Sequence, residues 1–163
     1  EPEQSWEGER YLKARLGQFY HKLLEGISAL PEDLEARLLA LARRHQALVP
    51  GRDINELAEQ VKTLLERRDV APFFAKVQGQ SALCEAQLMG AGGELLRVDR
   101  LVRDGNLTTV LDFKTGRADD PQQTEQHQVK VREYLAALSG IFHGQKLVGR
   151  IVYIDGAVKE VRL

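Results

Sequence analysis

Two aspartates and a lysine on two predicted neighbouring strands are the residues whose types and spacing suggest chemistry. Asp99 lies on the first strand of a predicted β-hairpin, and Asp112 and Lys114 lie on the second. The dipeptide Gly105-Asn106 between the strands predicts a two-residue hairpin loop. Counting back from that loop places Asp99 opposite Asp112, with Cβ atoms roughly 5 Å apart on one face. Because side chains alternate along a strand, Lys114 shares that face with Asp112.

Two carboxylates at this separation repel each other unless one takes up a proton or a cation lies between them. Their hard oxygen atoms favour magnesium or manganese as that cation. The ammonium group of Lys114 could orient a water molecule, or offset the negative charge that develops on a phosphate under attack. The hairpin therefore suggests hydrolysis of a phosphodiester. The alternative is an exposed hairpin whose acids and lysine are solvated or paired, and the hairpin alone does not decide between the two.

Length and composition limit the class of protein. A chain of 163 residues, of which 43% are hydrophobic and 29% charged, predicts one globular domain with a substantial core. No apolar run approaches the length of a membrane span, and nothing resembles a signal peptide. The formal charge of −1 argues against a nonspecific electrostatic DNA binder that acts alone.

The cysteine count and the first residues set two further expectations. A single cysteine, Cys84, excludes an internal disulfide and an iron–sulfur cluster held by several thiolates. A reducing, cytoplasmic location fits this composition. The segment Glu1-Pro2-Glu3-Gln4 resembles a trimmed linker, so we expect residues 1–163 to be one domain and a fragment of a longer protein.

The elements that must position these residues fall into a helical part, 1–75, and a sheet part, 76–163. Apolar periodicity and turn residues predict helices over 5–28, 31–49 and 53–68, strands over 81–88, 95–103 and 107–114, a helix over 122–142, and strands over 146–154 and 157–163. This order predicts an α/β fold with a mixed sheet of about five strands flanked by helices. The helix after the hairpin is expected to connect parallel neighbours.

Two residues outside the hairpin have both an ordinary and a functional explanation. His21 lies at the margin of the apolar stripe of the first helix, one turn after Gly17. An isolated histidine of this kind is most often partly buried and locally hydrogen-bonded, but it could also ligate the same metal, with Glu25 as a supporting partner. Glu85, on the strand before the hairpin, is one more carboxylate near Asp99, although an isolated strand glutamate is usually exposed.

Several of these residues also form an ordered set of motifs. The set consists of Gly17-x-x-x-His21-x-x-Leu24-Glu25, Glu85, Asp99-Arg100-Leu101, Asp112-Phe113-Lys114-Thr115-Gly116 and Tyr134. In this order and spacing the sequence resembles the RecB-like nuclease domains of the PD-(D/E)XK superfamily, in particular those at the carboxyl end of UvrD-type helicases such as RecB and AddA. The resemblance covers almost the whole chain.

The resemblance implies a restriction-endonuclease-like fold and a role for each motif residue. The implied ligands of Mg2+ or Mn2+ are His21, Asp99, Asp112 and the main-chain carbonyl of Phe113. Lys114 would position or activate the attacking water, and Tyr134 would line the DNA strand or support the site. Glu25, Glu85 and Lys130 are possible supporting residues. Lys130 stands where the family usually has glutamine, and Leu96 where it often has glycine.

The expected function is therefore that of a magnesium-dependent DNA exonuclease domain in a helicase–nuclease for double-strand break repair and recombination. Its expected partners are single-stranded DNA fed from a duplex end, a fused helicase, and an AddB- or RecC-like subunit. One alternative is a catalytically silent module of the same fold that guides DNA or acts as a scaffold. Another is a stand-alone resolvase or restriction-like nuclease.

Overall fold

The computed structural model describes residues 3–163, so Glu1 and Pro2 of the predicted linker lie outside the described residues. The helical part contains α1 (Glu3–Glu25), α2 (Leu34–His45), α3 (Ile54–Leu65) and the 3-10 turns Gln46–Leu48 and Ala71–Phe73. The sheet part contains β1 (Gln80–Met89), β2 (Leu95–Asp104), β3 (Leu107–Lys114), α4 (Pro121–Ser139), β4 (Lys146–Tyr153) and β5 (Val158–Val161). All the predicted elements are present, and their ends differ from the predicted ends by a few residues.

The five strands form one mixed sheet in the order β1-β2-β3-β4-β5. Only β3 and β4 are parallel, and the other three pairs are antiparallel. Because parallel neighbours need a crossover connection, α4 leaves the end of β3 and returns the chain to the start of β4. This arrangement confirms the predicted α/β fold, with helices on the faces of a mixed sheet.

The sheet separates two hydrophobic cores. One face packs on α1, α2 and α3, with Leu111 and Phe113 of β3 pointing into that core as the hairpin pattern predicted. The other face packs on α4 through Val131, Leu135 and Leu138. The catalytic candidates on β3 therefore lie between two packed layers rather than on a solvated ribbon.

The predicted regular alternation of β2 is wrong at one point. Leu96 and Val98 face α4, and so does Leu101, three residues further on. The change of face occurs at Asp99, and the residue beside it on β1, Glu85, has a positive φ of 52°. A paired irregularity of this kind redirects a side chain out of the regular pleat. The irregular backbone therefore gives the Asp99 side chain a direction that a regular strand would not give it.

Two apolar residues that fit the periodicity of the predicted helices are not part of either core. Leu12 of α1 is 56% exposed, and Val129 of α4 is 49% exposed. The buried stripe of α1 includes Phe19, Tyr20 and Leu23 instead. None of the helices in the described part of the chain is both long and apolar enough to cross a membrane.

The close approach of α4 to β4 depends on a glycine. A β-carbon at Gly149 would overlap the Cγ1 atom of Val131 on α4 and would also contact Leu135. Valine is stiff about χ1 and cannot move aside cheaply. Because Tyr134 lies one helical turn after Val131, this packing also sets the position of Tyr134 against the sheet.

We therefore expect Gly149→Ala to lower the free energy of unfolding by about 1–3 kcal/mol, the usual cost of overpacking. Urea denaturation measures this change. Val131→Ala removes the atom that would be overlapped, so the Gly149→Ala/Val131→Ala protein should lose less than the sum of the two single changes. Additive losses would contradict the proposed contact.

Candidate active site

The hairpin that carries the acids has the predicted loop and register. Gly105 has a φ of 56°, which suits a two-residue hairpin loop. Asp104 pairs with Leu107, and the register continues to Arg100 opposite Leu111. Asp99 and Asp112 follow that last pair on the two strands. The Asp99 carboxylate turns toward β3, where its Oδ2 atom accepts a hydrogen bond of 2.7 Å from the backbone N–H of Phe113.

Asp112 is buried, with 2% of its surface exposed. Its Oδ2 atom lies 3.0 Å from Nζ of Lys114, but it makes no bond of hydrogen-bond geometry with the described residues. Burial raises the pKa of Asp112 to about 6, and the charge of Lys114 only partly offsets that effect. This aspartate is therefore not solvated, although it is paired with Lys114 as the alternative allowed.

His21 reaches the same place from α1. Its Nδ1 atom lies 2.8 Å from the Gly17 carbonyl, and its Nε2 atom lies 3.2 Å from Oδ2 of Asp99. Burial would lower the pKa of His21, but the hydrogen bond and charge of Asp99, with the Gly17 carbonyl, outweigh it and raise the pKa to about 9. The imidazolium form is held because both ring nitrogens face acceptors. A β-carbon at Gly17 would lie at ordinary van der Waals distance, 3.5 Å, from Oγ1 of Thr115, so α1 lies close to the end of β3 at this residue.

One cleft of about 490 Å³ brings together most of the predicted site residues. It is lined by His21, Glu25, Glu85, Asp99, Lys114, Lys130 and Tyr134, and also by Gln18, Lys22, Leu95, Leu96 and Arg97. Asp112 lies beneath it and contacts Lys114. Phe113 points its ring into the core beside Phe74, with ring centroids 6.1 Å apart, and the metal-binding role of its carbonyl stays a prediction.

The acids of the cleft are each paired with a cation. Arg97 lies 2.7 Å from Glu85, and Lys22 lies 3.2 Å from Glu25. Burial nevertheless raises the pKa of Glu85, and the nearby acids add to that rise. Mutual pairing lowers the repulsion that a group of carboxylates would otherwise feel.

Tyr134 and Lys130 form the α4 side of the cleft. Tyr134 is buried, and its pKa is raised by burial and by the nearby charges of Asp112 and Asp99. Nζ of Lys130 lies 5.6 Å from the centroid of the Tyr134 ring and 3.0 Å from a carboxylate oxygen of Glu133. The lysine that replaces the usual glutamine thus remains at the cleft and holds a positive charge over the aromatic ring.

The donor atoms fit a hard divalent cation, although they do not form a finished metal centre. Among the side chains of residues 6–163, no group of three or more histidine, cysteine or acidic residues is arranged to hold an ion. His21 is instead hydrogen-bonded to Asp99, and Lys114 lies against Asp112. Among the candidate ligand atoms of the described residues, the buried Oδ2 atom of Asp112 has no hydrogen-bond partner. Carboxylate oxygens and an imidazole suit Mg2+ or Mn2+.

Sequence reasoning missed Arg97 and the importance of Arg100. Arg97 pairs with Glu85 at the cleft wall. Arg100 was expected only as part of a motif, but it is buried and 2% exposed. One signal was available, because two consecutive charged residues, Asp99 and Arg100, interrupt an otherwise alternating strand.

Comparison with known proteins agrees with this fold. Residues 2–160 match the model of a family described as the PD-(D/E)XK nuclease superfamily. The chain belongs to this superfamily. No curated protein matches the sequence. A solved structure described as "Crystal structure of SSO0001" aligns over 95% of this chain and 76% of its own, at 17% identity and a TM-score of 0.35, and this weak likeness adds nothing about function.

Replacing Asp112 by asparagine should stabilise the metal-free protein at neutral pH. The folded-state pKa of about 6 lies above the ordinary value of 3.8, so the folded protein binds the proton more tightly and loses stability as pH rises from about 4 to 6. We expect Asp112→Asn to raise the free energy of unfolding at pH 7 by about 2–3 kcal/mol. The gain should shrink toward pH 4.

Urea unfolding in the presence of EDTA at several pH values measures this difference. The exposed Asp69 offers a matched control, because Asp69→Asn removes the same charge from the surface. An Asp112→Asn protein whose stability relative to wild type is the same at pH 4 and pH 7 would contradict the interpretation.

Proposed function

We propose that this chain is a magnesium- or manganese-dependent DNA nuclease, acting as an exonuclease. The observation that carries the proposal is the buried Asp112 carboxylate, which lies 3.0 Å from the Lys114 ammonium on the strand whose Phe113 amide binds Asp99. Burying an acid with an incomplete hydrogen-bond shell is costly for folding alone. A cation-binding and phosphate-cleaving role accounts for that cost, and membership of the nuclease superfamily supports it.

The residues proposed to hold the ion are Asp99, Asp112, His21 and the main-chain carbonyl of Phe113. When bound there, the ion would supply Lewis-acid chemistry, lowering the pKa of a bound water and neutralising phosphate oxygens. His21 has to give up its proton to act as a ligand, since only a neutral imidazole nitrogen can coordinate a metal.

Lys114 has the reach for a second role. Its ammonium lies at the cleft surface while its partner Asp112 lies below. From that position it can donate hydrogen bonds to a water or to the phosphate on which negative charge develops. Lys130, together with the ring of Tyr134 beneath it, would bind the phosphate backbone next to the reacting bond.

The wider context is also part of the proposal. The ordered motifs from Gly17 to Tyr134 resemble those of RecB- and AddA-type enzymes, which supports a domain of a helicase–nuclease in double-strand break repair. Its partners would then be single-stranded DNA fed from a duplex end, a fused helicase, and an AddB- or RecC-like subunit. Such DNA processing implies a cytoplasmic location.

Nuclease activity should depend on the two hairpin groups. With Mg2+ or Mn2+ and end-labelled single- or double-stranded DNA, we expect the wild-type chain to cleave. Asp112→Ala and Lys114→Ala should each reduce the rate by about a hundredfold or more, as expected for loss of a transition-state contact. Gel analysis of product release over time measures the rate.

Asp69→Ala and Lys62→Ala are matched controls, because they make the same chemical changes away from the cleft. Both controls should retain wild-type rates. If wild type, Asp112→Ala and Lys114→Ala leave the same trace of cleavage, the enzyme proposal is lost.

His21 should matter for metal affinity rather than for folding. We expect His21→Ala to weaken Mn2+ binding by about tenfold or more, because it removes an imidazole that lies against Asp99. Isothermal titration calorimetry with MnCl2 measures the affinity, and far-UV circular dichroism checks the fold. His143 is exposed, so His143→Ala is the matched control. Equal titration curves for His21→Ala and wild type would remove His21 from the site.

A catalytically silent module that guides DNA is the second candidate. The observation that favours it is that His21 with Asp99, and Lys114 with Asp112, form pairs of opposite charge. In that case Mn2+ would not bind measurably, while DNA binding would persist and weaken on Lys130→Ala. Fluorescence anisotropy with labelled single-stranded DNA, with and without Mn2+, separates the two candidates.

A further inference from the structure

Arg100 has an environment that the proposed chemistry does not explain. It follows Asp99 on β2 and is among the largest fully buried side chains. No carboxylate of residues 6–163 forms an ion pair with it, and its pKa is lowered by burial, with Cys84 as the only opposing influence. Burying a guanidinium without a carboxylate partner costs free energy of folding. Its other contacts must therefore offset this cost.

The contacts of Arg100 connect three segments of the chain, which are the residues after α1, the residues before β1, and β2 itself. Nη1 and Nη2 donate to the carbonyls of Ile27 and Ser28, just after α1, at 3.2 and 2.8 Å. Nε donates to the carbonyl of Phe73, in the last 3-10 turn of the helical part, at 2.9 Å. The guanidinium carbon also lies 4.0 Å from the centroid of the Phe74 ring. The planar fork of arginine suits this set of divergent acceptors better than a lysine ammonium would.

The segments that Arg100 holds together also carry residues of the cleft. Ile27 and Ser28 directly follow the helix that carries His21, and Arg100 directly follows Asp99. Arg100 therefore anchors the carboxyl end of α1 to the strand that it must approach. The same side chain points toward α1 immediately after the change of face in β2, so it also fixes the irregular backbone around Asp99.

We propose that Arg100 is a positioning residue that acts through Asp99 and His21. By clamping the end of α1 to β2, it holds the imidazole 3.2 Å from the carboxylate and keeps Asp99 aimed at the Phe113 amide. The inference rests on the proposed function for its catalytic meaning. Its structural content, that Arg100 sets the geometry of Asp99, is independent of that function.

The test compares Arg100→Lys with wild type and with Arg103→Lys. Arg103→Lys makes the same change on the same strand, at an exposed arginine that stacks on Phe142. The first readout is hydrogen exchange of the Phe113 amide by NMR, since Asp99 is its hydrogen-bond acceptor. We expect Arg100→Lys to speed exchange at Phe113 by about tenfold more than at Leu111, and Arg103→Lys to leave the ratio unchanged.

The second readout is Mn2+ affinity measured by calorimetry. Loss of a residue that orients the ligands should weaken binding by about tenfold. The affinity is measured without urea, under conditions in which circular dichroism shows that every variant is folded. Leu38→Ala, a buried truncation on α2, controls for lost stability and should leave Mn2+ affinity unchanged. If Arg100→Lys does not fold, Arg100→Met, which retains the apolar stem, takes its place in both measurements.

The outcomes separate this inference from the proposed function. Selective loss of Phe113 protection supports the inference, and a uniform change across the sheet, or none, overturns it. If wild type binds no Mn2+, the proposed function fails while the exchange result still decides the role of Arg100. If Leu38→Ala loses as much Mn2+ affinity as Arg100→Lys, general destabilisation explains the loss and the positioning role is overturned.

Discussion

The contact between His21 and Asp99 is the constraint on which the rest of the structure depends. It joins residues 78 positions apart, one from the helical part and one from the sheet, and it forms where neither part alone would build a site. For the contact to exist, α1 must lie close to the end of β3, and β2 must depart from a regular pleat at Asp99. Most of the unusual features of the molecule, including a positive φ at Glu85, lie around this one point.

Burial and charge act against each other in the cleft. Desolvation favours protonated acids and a neutral histidine, while the close pairs favour charged ones. The pairs win at His21, whose pKa rises despite burial. Desolvation wins at Asp112, whose pKa also rises although Lys114 is beside it. The pKa of each group is thus raised, at His21 by charge and at Asp112 by desolvation. Asp112 titrates nearer neutral pH than an unburied aspartate would, and His21 titrates above neutral pH.

Much of the fold could be predicted because it depends on local patterns. The loop at Gly105, the register from Asp104 to Leu107, and the shared reach of Asp112 and Lys114 all follow from strand periodicity and turn chemistry. The membership of the PD-(D/E)XK superfamily that the motifs suggested is confirmed, while the link to RecB and AddA stays a prediction. The place of His21 at the cleft could not be predicted from its own helix, since its contact is with Asp99, which is far away in sequence.

What could not be predicted depends on tertiary contacts. The change of face at Asp99 contradicts local alternation and exists because the sheet packs on different helices at its two faces. Arg100 is buried because three carbonyls converge on it, and no residue pattern announces backbone acceptors. Leu12 matches the helical period but lies outside the packed stripe, because periodicity does not show how far a neighbouring layer extends.

The pairing of the acidic residues has a consequence for how the chain acquires its structure. Each carboxylate in the cleft lies near a cation that the chain itself supplies: Asp99 near His21, Asp112 near Lys114, and Glu85 near Arg97. Folding therefore does not have to wait for an ion to relieve the repulsion between acids, unlike folding of small zinc domains, which collapse only around their metal. We therefore expect the chain to fold in a chelating environment, so that the proposed metal would be needed for activity and not for folding.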